Sequence, residues 1–253
     1  LAGIGLLAKG FGDLAATAEQ NLGAVGSVFK GAAGEVATFA ASSATNLGIS
    51  SSEYNQFAAM IGSQFKNAGV PLDKLAGQTD GLITKGADLA SMFGGTTTEA
   101  VEALSSALKG EMDPIERYGI SLNEAAIKGK LAELGLSGLE GAAGQAAKTQ
   151  AILALVSQQS ADATGNFAKE AGTAAGQQQI ATAAWADASA KLGEQLLPVM
   201  TLAAKKVSEL AAWVSQNIPL VTGLAIGIGA LAAVIVVWAA VQSVLNLVML
   251  ASP

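Results

Sequence analysis

The chain contains neither cysteine nor histidine, and these two absences exclude several classes of chemistry. Without them there are no disulfides, no thiolate nucleophiles, no imidazole bases and few ways to build a zinc or copper site. Charged residues make up only 13% of the 253 residues, and aromatic residues only 5%. Because alanine and glycine are abundant instead, the composition suits close helix–helix contact better than a core of large side chains.

Little in the charge pattern indicates catalysis or nucleic-acid binding. The net charge is -6, so there is no basic surface of the kind that holds a phosphate backbone. The glycines form neither a phosphate-binding loop nor a dinucleotide fingerprint. Glu99, Glu102, Glu111 and Glu116 could be read as an acid–base pair, but nothing supplies the cleft that such chemistry needs. We therefore expect no catalytic residues, no metal, no cofactor, no enzyme activity and no specific nucleic-acid binding.

The apolar residues recur at the three-and-four spacing of helices, and no stretch shows the sustained alternation of a strand. We therefore predict an all-α protein. Within residues 3–48, glycines that each cost about 1 kcal/mol relative to alanine favour a self-associating or lumen-lining helix over a rigid isolated one. Further helices are predicted at residues 50–68, 71–92, 122–134, 139–159 and 173–216, and Pro198 should kink or break the last of them.

Helix starts are marked by a repeated capping pattern, in which Ser, Thr or Asp is followed three positions later by Glu. It occurs four times, at Ser50/Glu53, Thr96/Glu99, Asp113/Glu116 and Ser121/Glu124. Pro114 fits the first position of a helix, and Gly110 and Gly119 fit helix ends. This density of starts and stops predicts a compact, capped middle with longer helices on either side.

Four segments follow from these patterns. Residues 1–48 are predicted to be a helical segment rich in small residues, and residues 49–172 a compact multi-helix region. Residues 173–217 should form a long helix kinked near Pro198, and residues 218–253 a hydrophobic, membrane-spanning segment. No charged n-region precedes an apolar run, so we expect no signal peptide. The sequence begins at Leu1 and not at Met, so we expect either a processed chain or a piece of a longer polypeptide, and favour the second.

The C-terminal residues 210–253 carry no charge, and residues 220–241 are long enough to cross a hydrocarbon layer of about 30 Å. Gly223, Gly227 and Gly229 would form a small-residue face for helix association, with Trp213 and Trp238 near the two membrane interfaces. Two interpretations stay open: a membrane-spanning helix, or a buried helix at the centre of a homo-oligomer.

Residues 94–122 also carry a resemblance to a known family. The string Asp113-Pro114-Ile115-Glu116-Arg117-Tyr118-Gly119-Ile120, with the helix before it, resembles tape-measure proteins of long-tailed bacteriophages. Two further patches, residues 160–168 and 193–199, resemble later segments of those proteins in the same order. The resemblance covers about residues 69–253. We expect structural roles for this motif, since capping accounts for its carboxylates and the helix dipole for Arg117, while Tyr118 and Phe167 suit packing.

The resemblance implies a structural role in a phage tail. Several copies, as a trimer or hexamer with coiled-coil helices, would lie in the lumen of the tail tube and set its length. The implied partners are the tail-tube protein, tail-tip and distal tail proteins, tail assembly chaperones and, during genome ejection, the host membrane. The implied locations are the virion and then the host envelope. Two alternatives remain: a stand-alone, membrane-inserting channel-former and a soluble secreted helical scaffold.

Overall fold

A computed structural model describes residues 2–216, 238 and 241–243, and its regular structure is helical throughout that part of the chain, which confirms the all-α class. Side-chain surroundings are described for this part of the chain from Gly10 onward, except at residues 200, 203, 204, 210, 211 and 214. The α-helices are α1 (Ala2–Phe29), α2 (Ala33–Leu47), α3 (Ser51–Asn67), α4 (Leu72–Phe93), α5 (Thr97–Lys109), α6 (Asp113–Glu116), α7 (Glu124–Glu133), α8 (Gly141–Gln159), α9 (Asn166–Glu170) and α10 (Ala174–Gln216). The contacts of the chain group it into two units, residues 1–196 and 197–253, and the four-segment division stays a prediction.

The first helical segment is interrupted at Lys30, where the backbone adopts a φ of 50° and a 3-10 turn, Lys30–Ala32, separates α1 from α2. Just before this turn, Phe29 is fully buried against α3. Its ring lies directly over Gly62, where a Cβ atom would collide with the ring. Glycine at this position therefore lets α1 approach α3 closely, and a large aromatic residue fills the contact.

One apolar core extends from α1 to α9. The five helices α1 to α5 make most of the contacts between elements; α6 packs on α5, α9 packs on α4, and α8 packs mainly on α7. The largest fully buried side chains include Tyr54, Tyr118, Phe29, Phe65, Ile61 and Leu75. Residues from the small-residue-rich segment thus share a core with the capped middle.

A buried carboxylate fastens the chain after α8 to this core. Asp88 on α4 is only 5% exposed, and its two oxygens accept hydrogen bonds from the backbone N–H groups of Gly165 at 2.8 Å and Phe167 at 3.1 Å. Phe167 is buried beside it. Because backbone N–H groups that are removed from water need partners, this carboxylate fixes where α9 begins.

Two of the four predicted capping boxes are confirmed. Ser50 and Thr96 each accept a hydrogen bond from the backbone N–H of the glutamate three residues later, and each glutamate returns the bond. Pro71 is displaced by one position from the prediction, since it is the residue before α4 and the helix begins at Leu72.

The other two predicted boxes are wrong. Asp113 is the first residue of α6, and the residue before that helix, Met112, already has a helical backbone, so no side chain caps the helix. At α7 the cap is Asn123, whose Oδ1 accepts the N–H of Ala126 at 2.8 Å. Ser121 is held elsewhere: the side chain of Gln159 bonds both its N–H, at 2.8 Å, and its carbonyl oxygen, at 3.0 Å.

The helix α10 continues through Pro198, so the proline does not end it as one prediction allowed. The other predicted helices in the described residues lie within a few residues of their expected positions. Proline inside a helix removes one backbone hydrogen bond and crowds the preceding turn. The division between the two units falls next to this position, between Leu196 and Leu197.

Candidate functional site

The motif that carries the family resemblance folds into a tight corner against the start of α5. Gly94 and Gly95, at φ values of 86° and 98°, turn the chain into that helix. A Cβ atom on Gly95 would lie 2.6 Å from Oε2 of Glu99 and 3.0 Å from Nη2 of Arg117. Only glycine combines that backbone conformation with so close an approach.

Glu99 connects the helix start to the motif. Its Oε2 accepts the backbone N–H of Thr96 at 3.0 Å as part of the capping box, and the same atom lies 3.7 Å from Nη2 of Arg117. The Arg117 guanidinium lies 5.1 Å from the centre of the Tyr118 ring. Both charged side chains are about half exposed, so their ion pair adds little stability. The contact orients Arg117 over the tyrosine.

The motif presents two different faces. Ile115, Tyr118, Ile120 and Leu122 are buried in the core. The remaining motif residues are exposed: Asp113, Pro114, Glu116, Arg117 and Gly119. The string therefore supplies apolar anchors to the core and leaves its charged side chains on the surface.

Tyr118 has an unusual hydroxyl. The side chain is 1% exposed, and its oxygen is buried without a hydrogen-bond partner. Burial raises the pKa of Tyr118, Arg117 lowers it in part, and Glu99 raises it. A neutral, unpartnered phenol in this place acts as a packing group, as the sequence predicted for both Tyr118 and Phe167, which is 4% exposed.

A second surface, on α10, is apolar and exposed. In the first unit one side of this helix packs inward: Gly193 lies against the carbonyl oxygen of Phe11, and Asp187 accepts the backbone N–H of Ser51 at 2.8 Å and its hydroxyl at 3.1 Å. On the opposite side, five exposed residues alternate four and three positions apart. These residues, which we call the α10 seam, are Ala181, Trp185, Ala188, Leu192 and Gln195.

Trp185 is the most exposed large apolar side chain of the α10 seam, at 70%. The same four-and-three spacing continues in the sequence of the second unit at Val199 and Leu202, which are 37% and 59% exposed. After them, the positions in register hold the ion-paired Lys206 and Glu209. Apolar residues at a seven-residue period are the pattern of a coiled-coil interface.

The seam was not predicted, because residues 173–216 were expected only to form a long helix. The four-and-three spacing from Ala181 to Leu202 was a readable signal. Spacing alone does not tell which side of an amphipathic helix faces its own core. That side is decided by the contacts of Asp187 and Gly193 with α3 and α1, which are distant in sequence.

The predicted membrane-insertion residues are only partly within the described chain. Gly223, Gly227 and Gly229 lie outside the described residues, whereas Trp213 and Trp238 are 51% and 64% exposed. No helix among the residues that the structure covers is both long and apolar enough to span a membrane. Within the same residues, no group of three or more acidic side chains is arranged to hold a metal ion.

Comparisons with protein families, with curated proteins and with solved structures find no match to this chain. The motif corner and the α10 seam are therefore interpreted from their own chemistry. The corner has its aromatic and aliphatic side chains in the core. The seam has its apolar side chains in solvent, which is the arrangement that a partner helix would cover.

Proposed function

We propose that this chain is part of a tape-measure protein of a long-tailed bacteriophage, a structural component whose copies associate through the α10 seam. The proposal rests on the resemblance of residues 94–122, 160–168 and 193–199 to that family. The observation that carries it is the α10 seam, an exposed surface of seven-residue period at residues 181–195 of the first unit.

The physical argument concerns length. The 23 residues of α10 that lie in the first unit, 174–196, extend about 35 Å at 1.5 Å per residue. A chain of such helices defines a distance in proportion to its residue number, and lateral association keeps marginal helices extended. Tail-tube subunits would then assemble around several copies, and distal tail proteins and assembly chaperones would be further partners. The role is structural, in the virion first and in the host envelope at infection.

The test is tail length after deletion of two heptads, residues 199–212, from the full-length gene. This deletion joins positions that keep the seven-residue register and leaves the first unit untouched. Tails should shorten by about 21 Å, measured as a population mean by electron microscopy. Duplication of the same residues is the matched control and should lengthen tails by the same amount.

Tails of unchanged length in both variants would contradict a measuring role for this segment. If such particles also failed to deliver their genome, residues 199–212 would instead belong to an ejection device. That outcome would leave the phage assignment intact and change only which step the segment serves.

A second candidate, a stand-alone, membrane-inserting channel-former, is favoured by the uncharged residues 210–253. A peptide of residues 213–253 should then bind liposomes and become helical there, as measured by co-sedimentation and circular dichroism. Release of a dye from loaded vesicles by the whole chain, without any other tail protein, would favour this candidate over a tail component. Failure to partition into liposomes would exclude it.

A further inference from the structure

A groove of about 760 Å³ lies between α4 and α8, at the end of the first unit where α3 meets α4. Its apolar lining includes Phe65 and Leu82, which are buried, and Leu153, which is half-buried. One wall is a single side of α4, formed by Lys74, Gln78, Gly81 and Lys85. The opposite wall is α8, which contributes Thr149, Gln150 and Leu153.

The two lysines of this groove form no ion pair with the described part of the chain. Lys74 is exposed and Lys85 is half-buried, and among the described residues no carboxylate lies within ion-pair distance of either. None of the described residues that line the groove is acidic. This occurs in a chain whose net charge is -6, so the groove is a local cationic site on an acidic protein.

The spacing of the lysines indicates the shape of what they would bind. They are eleven residues apart, which places them on the same side of α4 and about 16 Å from each other along its axis. A cleft between two helices with an apolar floor accommodates a third helix, whose apolar side lies on the floor. Cations at the rim then select a helix that carries carboxylates at matching positions.

We propose that the groove between α4 and α8 is a docking site for an acidic amphipathic helix of a partner protein. The apolar side of that helix packs on Val70 and Leu153, which are half-buried, and two of its carboxylates, about three turns apart, pair with Lys74 and Lys85. A second copy of this chain fits less well. Within the described residues, no helix carries two carboxylates eleven positions apart.

Gly81 offers a way to block the groove without harming the fold. A Cβ atom there meets nothing within 4 Å, so a larger side chain would extend into the groove without displacing the protein's own atoms. Replacing an exposed mid-helix glycine also favours the helix. Gly77 lies in the same helix, is equally open, and does not line the groove. Gly81→Leu is therefore the blocking variant and Gly77→Leu its matched control.

The probe is a labelled synthetic helix of about 18 residues, with leucines along one side and two glutamates spaced as Lys74 and Lys85 are. Binding to the whole chain is followed by fluorescence anisotropy. Lys74→Glu and Lys85→Glu should each weaken binding at least about fivefold, and Lys109→Glu, at an exposed site outside the groove, should not. A probe with lysines in place of its glutamates should bind the doubly reversed variant better than the original chain.

Gly81→Leu should abolish binding of the probe while raising or preserving the urea midpoint of unfolding. Gly77→Leu should have the same effect on the urea midpoint but leave binding of the probe intact. Equal binding by the acidic and basic probes, or loss of binding with Gly77→Leu, would overturn the proposal. If Lys74→Glu or Gly81→Leu instead dissociated an oligomer of this chain in sedimentation experiments, the occupant would be a second copy and the proposal would be wrong. None of these outcomes depends on the proposed role in tail length.

Discussion

Asp88 joins two parts of the first unit that are 77 and 79 positions apart in the sequence. Its carboxylate satisfies two buried backbone N–H groups, at Gly165 and Phe167. Asp88→Asn keeps the shape of the side chain but replaces one carboxylate oxygen by an NH2 group. That group cannot accept a hydrogen bond, so it faces a backbone N–H that loses its partner. We expect a loss of about 2 kcal/mol in the free energy of unfolding, measured with urea. Asp162→Asn, at an exposed carboxylate, is the control, and an equal effect of both variants would contradict the assigned role.

Two buried tyrosines allow a matched comparison of hydroxyl groups. Tyr54 donates to Oδ1 of Asp80 at 2.7 Å, whereas the Tyr118 oxygen is buried without a partner. Tyr54→Phe should cost about 1.5 kcal/mol, because a hydrogen bond to a carboxylate is lost. Tyr118→Phe should be neutral or stabilising, since it removes only a desolvated polar atom. Equal destabilisation by the two variants, in the same urea titration, would refute this distinction.

Tyr54 also leads to a prediction of how the stability of the protein responds to alkaline pH. Burial raises the pKa of Tyr54, and its hydrogen bond to Asp80 raises it further. Above about pH 10, the unfolded chain releases a proton that folded Tyr54 keeps, so stability should fall as pH rises through this range. Tyr54→Phe should therefore give a shallower decline between about pH 9 and pH 11. Parallel declines in the variant and the original chain would show that Tyr54 does not contribute.

Among the helices, the difference between formed and unformed capping boxes is directly testable. Thr96→Ala should destabilise the protein by about 1 kcal/mol, because Thr96 caps α5 and its partner Glu99 also orients Arg117. Ser121→Ala should change stability by less than about 0.5 kcal/mol, since the hydrogen bonds that Ser121 makes with other described residues use its backbone. Thermal or urea unfolding measures both. A large effect of Ser121→Ala would instead support the predicted Ser121/Glu124 capping box, in place of the Asn123 cap.

The sequence predicted helices well and their starts less well, for a reason visible at these positions. The Ser50 and Thr96 boxes close within four residues, so local sequence determines them. At Ser121 the competing partner is Gln159, which is 38 positions away and brought close only by packing of α8 on α7. A capping pattern covers only four neighbouring residues, so it contains no information about a partner as distant as Gln159. The break at Lys30 is similar, since it lies beside the long-range contact of Phe29 with Gly62.

At the scale of the whole molecule, the amino-acid composition predicted the all-α fold class but not which surfaces are available to partners. The low aromatic and charged fractions indicated close contact between helices. Two such contacts are formed, by Gly62 with the ring of Phe29 and by Gly193 with the carbonyl oxygen of Phe11. The motif residues were predicted to be structural, and their buried members fit that role. The α10 seam and the groove beside α4 were not anticipated. Each is defined by which side of a helix the remaining fold leaves uncovered.

The α10 seam leads to a prediction about assembly. If Trp185 and Leu192 form a coiled-coil interface between copies, Trp185→Gln with Leu192→Gln should weaken self-association at least about tenfold, because each side chain loses most of its burial energy. Sedimentation equilibrium measures the association constant, and circular dichroism checks that helix content is retained. Leu134→Gln with Leu139→Gln removes comparable exposed apolar surface outside the seam and should leave association unchanged. If neither pair had an effect, the seam would not be the contact that organises the copies.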